Sequence, residues 1–522
     1  MGEFRTVSAG PAQEIELKFE LEPDALDRLE ERLTVRAGAP DPAPAQTLVS
    51  VYYDTAGRAL QKAGLTLRVR IQGKQRIQTV KTEGDGLFTR GEWEWPLGRE
   101  GLNLMALNQT PFADALRAAG PDLAPVFTTR MRRTKRLIRE PEGEVEVALD
   151  RGQIEADGRT APVCELELEL KGGSPQALFG LARRLAESES LRLSFETKAE
   201  RGFRLLAANA PGAFHGDPPR LKAAMSVAEA FAAIGGRGLR QLTANACTLR
   251  ALRRPEALHQ TRVAIRRLRT GFKLFEAAAR DGEFDRLNGE LKWLAGELDQ
   301  ARDLDVMITD TFRPAADRFH DQEGLAELGK RMHATRGKAY DRALKALDGA
   351  RFLALTLDLA AWLDSGAWRD PAGPAGAPIG KFARAGLERL RRQIKRRGRG
   401  LKRLSPELRH KLRIRAKRLR YAVEFFGDLY EHAAGRDRFT LTLKGLQDAL
   451  GALNDLQVAR QQGLVLAESG GRPAGDSAVD GVRQAFAAGL MIGARTRAEK
   501  PLLKEAERLQ DRLLNDRPFW RK

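Results

Sequence analysis

The sequence predicts two domains of different class: an α+β domain built on an antiparallel β-barrel, followed by an all-α domain of helical bundles with an internal duplication. Three observations carry this. Strict period-two alternation of charged and apolar residues recurs through the first 200 positions. It gives way to helical spacing from Ser226 onward. Within the helical half, one cationic stretch occurs twice: HQTRVAIRRLR from His259 to Arg269 and HKLRIRAKRLR from His410 to Arg420. A chain of 522 residues exceeds one core, which also favours more than one domain.

The alternation is clearest in EIELKFE, where Glu14, Glu16, Lys18 and Glu20 share one face and Ile15, Leu17 and Phe19 the other, as a strand requires. LTLRVRI places Arg68 and Arg70 on one face; RIQTVKT carries Lys81. RGEWEW aligns Arg90, Glu92 and Glu94, and CELELEL aligns Glu165, Glu167 and Glu169. Turns at Gly73, Gly84-Asp85-Gly86 and Asp157-Gly158 separate the strands as in a meander, with short helices expected near 24–35, 111–119 and 175–188. Closing these strands into a barrel turns the charged faces inward. Such a lumen needs water, metal and an anionic ligand to balance it. Glu14 and Glu16 are placed to share a metal with Glu165, Glu167 and Glu169, and oxygen donors of this kind suit Mg²⁺ or Mn²⁺. Arginines and lysines opposite them suit phosphate oxygens.

In the second half the basic residues follow each histidine at the same offsets of 3, 7, 8 and 10. Offsets 0, 3, 7 and 10 span roughly 80° of a helix surface over about 15 Å. His259, Arg262, Arg266 and Arg269 thus form one stripe, and His410, Arg413, Lys417 and Arg420 the other, while Leu258, Ile265, Leu268, Phe272 and Phe275 face a core. A further alignment, LKWLAGELDQARDLDV (291–306) with LKGLQDALGALNDLQV (443–458), extends the repeat. A pseudo-twofold axis would bring the two cationic helices side by side. A third basic run, Lys381–Arg403, places Arg384, Arg391, Lys395, Arg399 and Lys402 on one helical face.

Charge follows the same division. Residues 1–210 carry 30 basic and 32 acidic side chains, and residues 211–522 carry 59 and 38, so the excess of the +19 chain lies wholly in the helical half. That field attracts polyanions. Two cysteines, Cys164 and Cys247, indicate no disulfide framework. There is no apolar run of membrane-spanning length and no signal-peptide core, so a cytoplasmic protein with no membrane partner is expected.

Glu14-x-Glu16-x-Lys18, YYDT at 52–55, Arg68-x-Arg70, Lys81, Arg90-x-Glu92-x-Glu94, Arg130, Arg133, Asp150, Glu165-x-Glu167-x-Glu169 and Lys198 in TKAERG together resemble the CYTH family of triphosphate tunnel metalloenzymes. The two histidine-led helices with ARDLDV and ALNDLQ resemble the CHAD family of polyphosphate-binding modules. The resemblance implies a CYTH tunnel over 12–208, a linker over 209–221, and a CHAD domain over 222–515 with repeats of about 222–366 and 380–515. It implies Glu14, Glu16 and Lys18 at the catalytic centre, with metal handled by Glu14, Glu16, Glu92, Glu94, Asp150, Glu165, Glu167 and Glu169. Arg68, Arg70, Lys81, Arg90, Arg130, Arg133 and Lys198 would line the phosphate path, and the two stripes would bind polyphosphate. The implied activity is hydrolysis of tripolyphosphate to pyrophosphate and phosphate with Mg²⁺ or Mn²⁺, with long-chain polyphosphate as partner and polyphosphate granules as a site of association. Alternatives within this resemblance are thiamine or nucleoside triphosphate hydrolysis, adenylate cyclisation, or a polyphosphate-binding scaffold with little catalysis. Nucleic acid is the less favoured polyanion.

Overall fold

The computed structural model describes residues 12–35, 45–82, 88–98, 101–208, 212–431, 433–469, 489 and 499–521. The expected turn at 84–86, His432, positions 209–211 of the expected linker, and residues 470–488 and 490–498 lie outside them. Two compact units are present. The first comprises 1–215, 239–252 and 348–366; the second comprises 216–238, 253–347 and 367–522. Among the described residues no helix is long and apolar enough to cross a membrane.

Nine strands form the sheet of the first unit: β1 (Ala12–Glu20), β2 (Gln46–Asp54), β3 (Leu65–Gln72), β4 (Gln75–Thr82), β5 (Thr89–Pro96), β6 (Ala124–Glu140), β7 (Gly143–Ala156), β8 (Arg159–Gly173) and β9 (Arg192–Ser194). Their order is β5-β4-β3-β2-β6-β7-β8-β1-β9, with all registered pairs antiparallel. The sheet curls until β1 meets β5, over four residue pairs from Ala12↔Glu92 to Ile15↔Thr89. β9 occupies the same edge of β1 beyond that point, from Lys18 to Glu20. The full closed barrel expected from the alternation is therefore a curled sheet with a short seam.

Helices α1 (Pro23–Val35), α2 (Ala59–Lys62), α3 (Ala113–Ala119), α4 (Gln176–Ala186) and α5 (Lys198–Leu206) decorate the sheet. Asp54 anchors the turn into α2: its buried carboxylate accepts from the backbone N–H of Thr55, Leu60 and Gln61. Thr197 starts α5 with a reciprocal cap, accepting from Glu200 N–H while Glu200 Oε2 accepts from Thr197 N–H. The three short helices expected from sequence correspond to α1, α3 and α4; α5 was not foreseen.

The helical half runs α6 (Val227–Leu252), α7 (Pro255–Ala279), α8 (Phe284–Met307), α9 (Arg313–Arg318), α10 (Glu323–Asp348), α11 (Ala350–Ser365), α12 (Ile379–Arg397), α13 (Pro406–Phe426), α14 (Ala433–Ser469) and α15 (Glu499–Asn515). Leu258, Ile265, Leu268, Phe272 and Phe275 of α7 are buried, as are Leu419, Val423 and Phe426 of α13, so the apolar face read in each repeat is the packed one. Phe231, Phe275 and Phe426 meet in the core of the second unit, with Phe231 stacked 4.7 Å from Phe275 and Phe275 5.9 Å from Phe426. Trp362 and Trp368 are buried packing residues. The third basic run does not present the single face expected of it. α12 ends at Arg397, and Gly398 with Gly400 (φ +65°) turns the chain, which separates Arg399 and Lys402 from the helix. Arg391 donates to the carbonyls of Leu514 (2.5 Å) and Asp516 (3.3 Å) at the C-terminal end of α15, a packing role.

Candidate active site and polyanion surface

Pairing of β1 with β8 sets Glu16 opposite Glu169 and Lys18 opposite Glu167, and pairing with β5 sets Glu14 opposite Arg90. The side chain of Arg90 lies outside the described residues. Lys81 Nζ lies 2.8 Å from Glu14 and 3.1 Å from Glu92, and Arg68 lies 3.5 Å from Glu92. Glu94 accepts from Thr79 Oγ1 at 3.1 Å. Glu92 thus serves as a counter-ion to the cations of β3 and β4, apart from the carboxylates of β7 and β8.

Arg70 differs from its neighbours. It makes no ion pair among the described residues, and its buried Nε lacks a hydrogen-bond partner, as does that of Arg68. Repulsion from Arg68, then burial, then Arg133 lowers the Arg70 pKa to about 10. Three guanidiniums crowd one interior region, and Arg70 among them feels Glu94 without forming an ion pair with it.

Across the lumen lie Asp150, Glu165 and Glu167, with a carboxylate oxygen from each within 4.8 Å of the others. Lys198, the first residue of α5, reaches Glu165 at 2.5 Å and both Asp150 and Glu167 at 2.8 Å. Arg133 bridges Asp150 and Glu167, and Arg201 donates to Glu165 at 3.0 Å. Burial pushes Asp150 and Glu167 upward, but Lys198 and Arg133 outweigh it and hold both below the ordinary carboxylate range, Glu167 well below. Glu169 goes the other way: burial, assisted by Glu14 and Glu146, raises it despite the Lys171 hydrogen bond. Lys18 lies 3.7 Å from Glu167.

The donor set fits a hard divalent cation. Asp150, Glu165 and Glu167 supply oxygens only, each with one within 4.8 Å of the others. Arg130 is not brought into this group. It sits on the opposite face of β6, 56% exposed and 3.1 Å from Glu155. Two residues that the sequence motifs contain but that were assigned no role lie beside this group: Arg201, paired with Glu165, and Tyr52, which acts on Arg68 and whose ring stacks 4.5 Å from Phe127.

In the second unit α7 packs beside α13, and the stripes meet. Repulsion from Arg266 reaches Arg413, Lys417 and, in the reverse direction, Arg420 acts on Arg266. Arg266, Arg413 and Lys417 make no ion pair among the described residues, and the Nε atoms of Arg266, Arg269 and Arg413 are buried without partners. Burial, with Arg413 and Arg266 beside it, lowers Lys417 to about 7. Arg262 pairs with Asp299, and Arg420 lies 3.4 Å from Glu424. His259 is lowered to about 4 by burial and then by Arg302. His410 Nδ1 lies 2.6 Å from Asn454 Oδ1. Arg302 and Asn454 each follow the repeat's lysine (Lys292, Lys444) by ten positions, so each histidine faces the equivalent residue of its own copy.

Residues 12–203 match the CYTH domain, and residues 233–462 match the CHAD domain. The chain is 33% identical over 168 residues to the inorganic triphosphatase of Haemophilus influenzae, a match covering 30% of this chain and 46% of that protein; it thus spans less than half the length of this relative. The crystal structure of the CHAD domain from the plant Ricinus communis is similar with a TM-score of 0.50 and 29% identity, covering 57% of this chain and 96% of that one. PptA from Streptomyces chartreusis aligns at a TM-score of 0.42 and 17% identity over 55% of this chain and 100% of that chain. On these matches the chain carries a CYTH domain at residues 12–203 and a CHAD domain at residues 233–462.

Proposed function

We propose that the chain is a metal-dependent inorganic triphosphatase that converts tripolyphosphate to pyrophosphate and phosphate, and that its helical domain binds inorganic polyphosphate. The observation that carries the first half is Arg70, without an ion pair among the described residues, close to Arg68 and Arg133. An interior lined by both cations and carboxylates suits a phosphate chain clamped beside a divalent ion.

Mg²⁺ or Mn²⁺ held by Glu14, Glu16 and Glu169 with the Asp150, Glu165 and Glu167 group would neutralise phosphate oxygens and acidify a water. Arg68, Arg70, Lys81 and Arg133 bind the phosphate oxygens and fix the chain for in-line displacement. Glu14 or Glu16 takes the proton of the attacking water. The terminal phosphorus gains one oxygen and loses the bridging oxygen, which leaves with pyrophosphate. Lys198 and Lys18 hold the carboxylates in place and spread the charge that builds on the phosphate.

The test is phosphate release by the full chain from tripolyphosphate, ATP and thiamine triphosphate, each with Mg²⁺ and Mn²⁺. Preference for tripolyphosphate is expected. Arg70→Ala should lower kcat/KM roughly tenfold to a hundredfold, as loss of a charge-assisted contact of about 1.5–3 kcal/mol implies. No hydrolysis of any substrate would overturn the reading.

For the second half, Arg266, Arg413 and Lys417 are the support: three close cations without ion pairs call for an anion. Binding of long-chain polyphosphate that outcompetes duplex DNA at physiological salt is the expected result.

A further inference from the structure

The two copies of the cationic helix are equivalent in sequence but not in neutralisation. In the first copy Arg262 on α7 is paired with Asp299 on α8. The repeat alignment places Arg413 at the position of Arg262, and Gly451 on α14 at that of Asp299. Space and direction agree with the alignment. A β-carbon built on Gly451 would meet only one atom within 4 Å, the Nε of Arg413 at 3.9 Å. The second copy therefore keeps the geometry of the first and lacks its carboxylate. The same divergence appears one face further round. Arg267 is 3.2 Å from Glu424, whereas the residue equivalent to Glu424 in the first copy is Lys273, which offers Arg418 no counter-charge.

We propose that Gly451 is a specificity-determining position: by withholding the carboxylate that Asp299 supplies in the other copy, it leaves Arg413 open, so that a phosphate chain is held chiefly by α13, with Arg266 reaching across from α7. This rests on the polyphosphate-binding reading above. The charges facing Arg413 are Arg266 on α7, Asp303 on α8 and Asp455 on α14, the last two beyond ion-pair distance of it. An incoming phosphate therefore meets a guanidinium that no near carboxylate holds. At Arg262 it must displace Asp299.

The experiment titrates the full-length chain with long-chain inorganic polyphosphate and compares Gly451→Asp with Gly451→Asn. The two side chains have the same size and similar helix propensity, so their difference reports charge. Gly451→Asp should weaken binding at least about tenfold relative to Gly451→Asn and reduce the salt dependence by about one phosphate contact. Equal affinity of the two variants overturns the proposal. Should either variant fail to fold, Arg413→Ala and Arg262→Ala decide instead: a larger loss for Arg413→Ala is expected, and an equal or smaller one overturns it. Failure of the unmodified chain to bind polyphosphate would refute the underlying reading, a result distinct from either of these.

Discussion

Arg133 grips Asp150 through two parallel hydrogen bonds, Nε to Oδ1 at 2.6 Å and Nη2 to Oδ2 at 2.5 Å, inside a sheet where Asp150 is completely buried. Removing one partner of such a pair leaves the other charged and unmatched, which costs about 3–5 kcal/mol. Asp150→Ala should therefore lower the urea midpoint of the first unit as well as its activity.

The same pair sets an acid limit. Asp150 and Glu167 are held below their ordinary values, so the unfolded chain takes up protons before the folded one does. Their stabilisation is complete above about pH 5 and fades as the pH falls through the folded-state values. Urea midpoints measured from pH 7 downward should fall steeply below pH 5, and less steeply in Asp150→Asn. Parallel curves for the two proteins would contradict this assignment.

Lys417 gives the polyanion surface a pH dependence of the opposite sense. With a pKa of about 7 among Arg266, Arg413, Arg420 and Asp455, it is charged below neutrality and progressively neutral above it. A bound anion favours the charged form, so affinity for polyphosphate should decline above pH 7, by at most about tenfold per pH unit. Lys417→Arg keeps the charge at every pH. Its affinity should be flat between pH 6 and 9, and a profile matching the parent chain would sink the assignment.

Gly202 tests the link from packing to site. A β-carbon there would come within 2.3 Å of the Phe127 ring, which is stacked on Tyr52 and set edge-on to Phe203. Gly202→Ala should destabilise the unit by about 1–3 kcal/mol and displace α5, which carries Lys198 and Arg201 into the carboxylate group. Gly180→Ala in α4, where nothing lies within 4 Å, is the control and should be neutral or slightly stabilising. Thermal unfolding together with phosphate release distinguishes the two.

Strand alternation made β1, β3, β5 and β8 legible, because each has one charged and one apolar face; in β4 both faces are mixed, with Arg76 on one and Lys81 on the other. β6 was not legible, since RMRRTKRLIRE carries cations on both faces: Arg133 points to Asp150, while Arg130 and Arg132 pair outside with Glu155 and Glu30. Parity would have separated Arg130 from Arg133, because residues three apart on a strand face opposite sides. The helical stripes were legible because duplication preserved their spacing. Their unequal neutralisation was not, since Asp299 and Gly451 lie 37 and 38 residues from the arginines they face and only the fold brings them together.

The first unit is discontinuous along the chain. Arg240 of α6 meets Glu200, and Asp358 of α11 lies 2.8 Å from Arg183, all within that unit. On a ribosome that adds about 5–20 residues per second, the nine strands emerge well before these helical pieces exist. The sheet must wait, with part of its surface uncovered, until residue 366 has been made. Birth order therefore ties completion of the first unit to synthesis of the helical segments that follow it, and a nascent chain stalled between 208 and 348 would offer chaperones a nearly finished but unsealed domain.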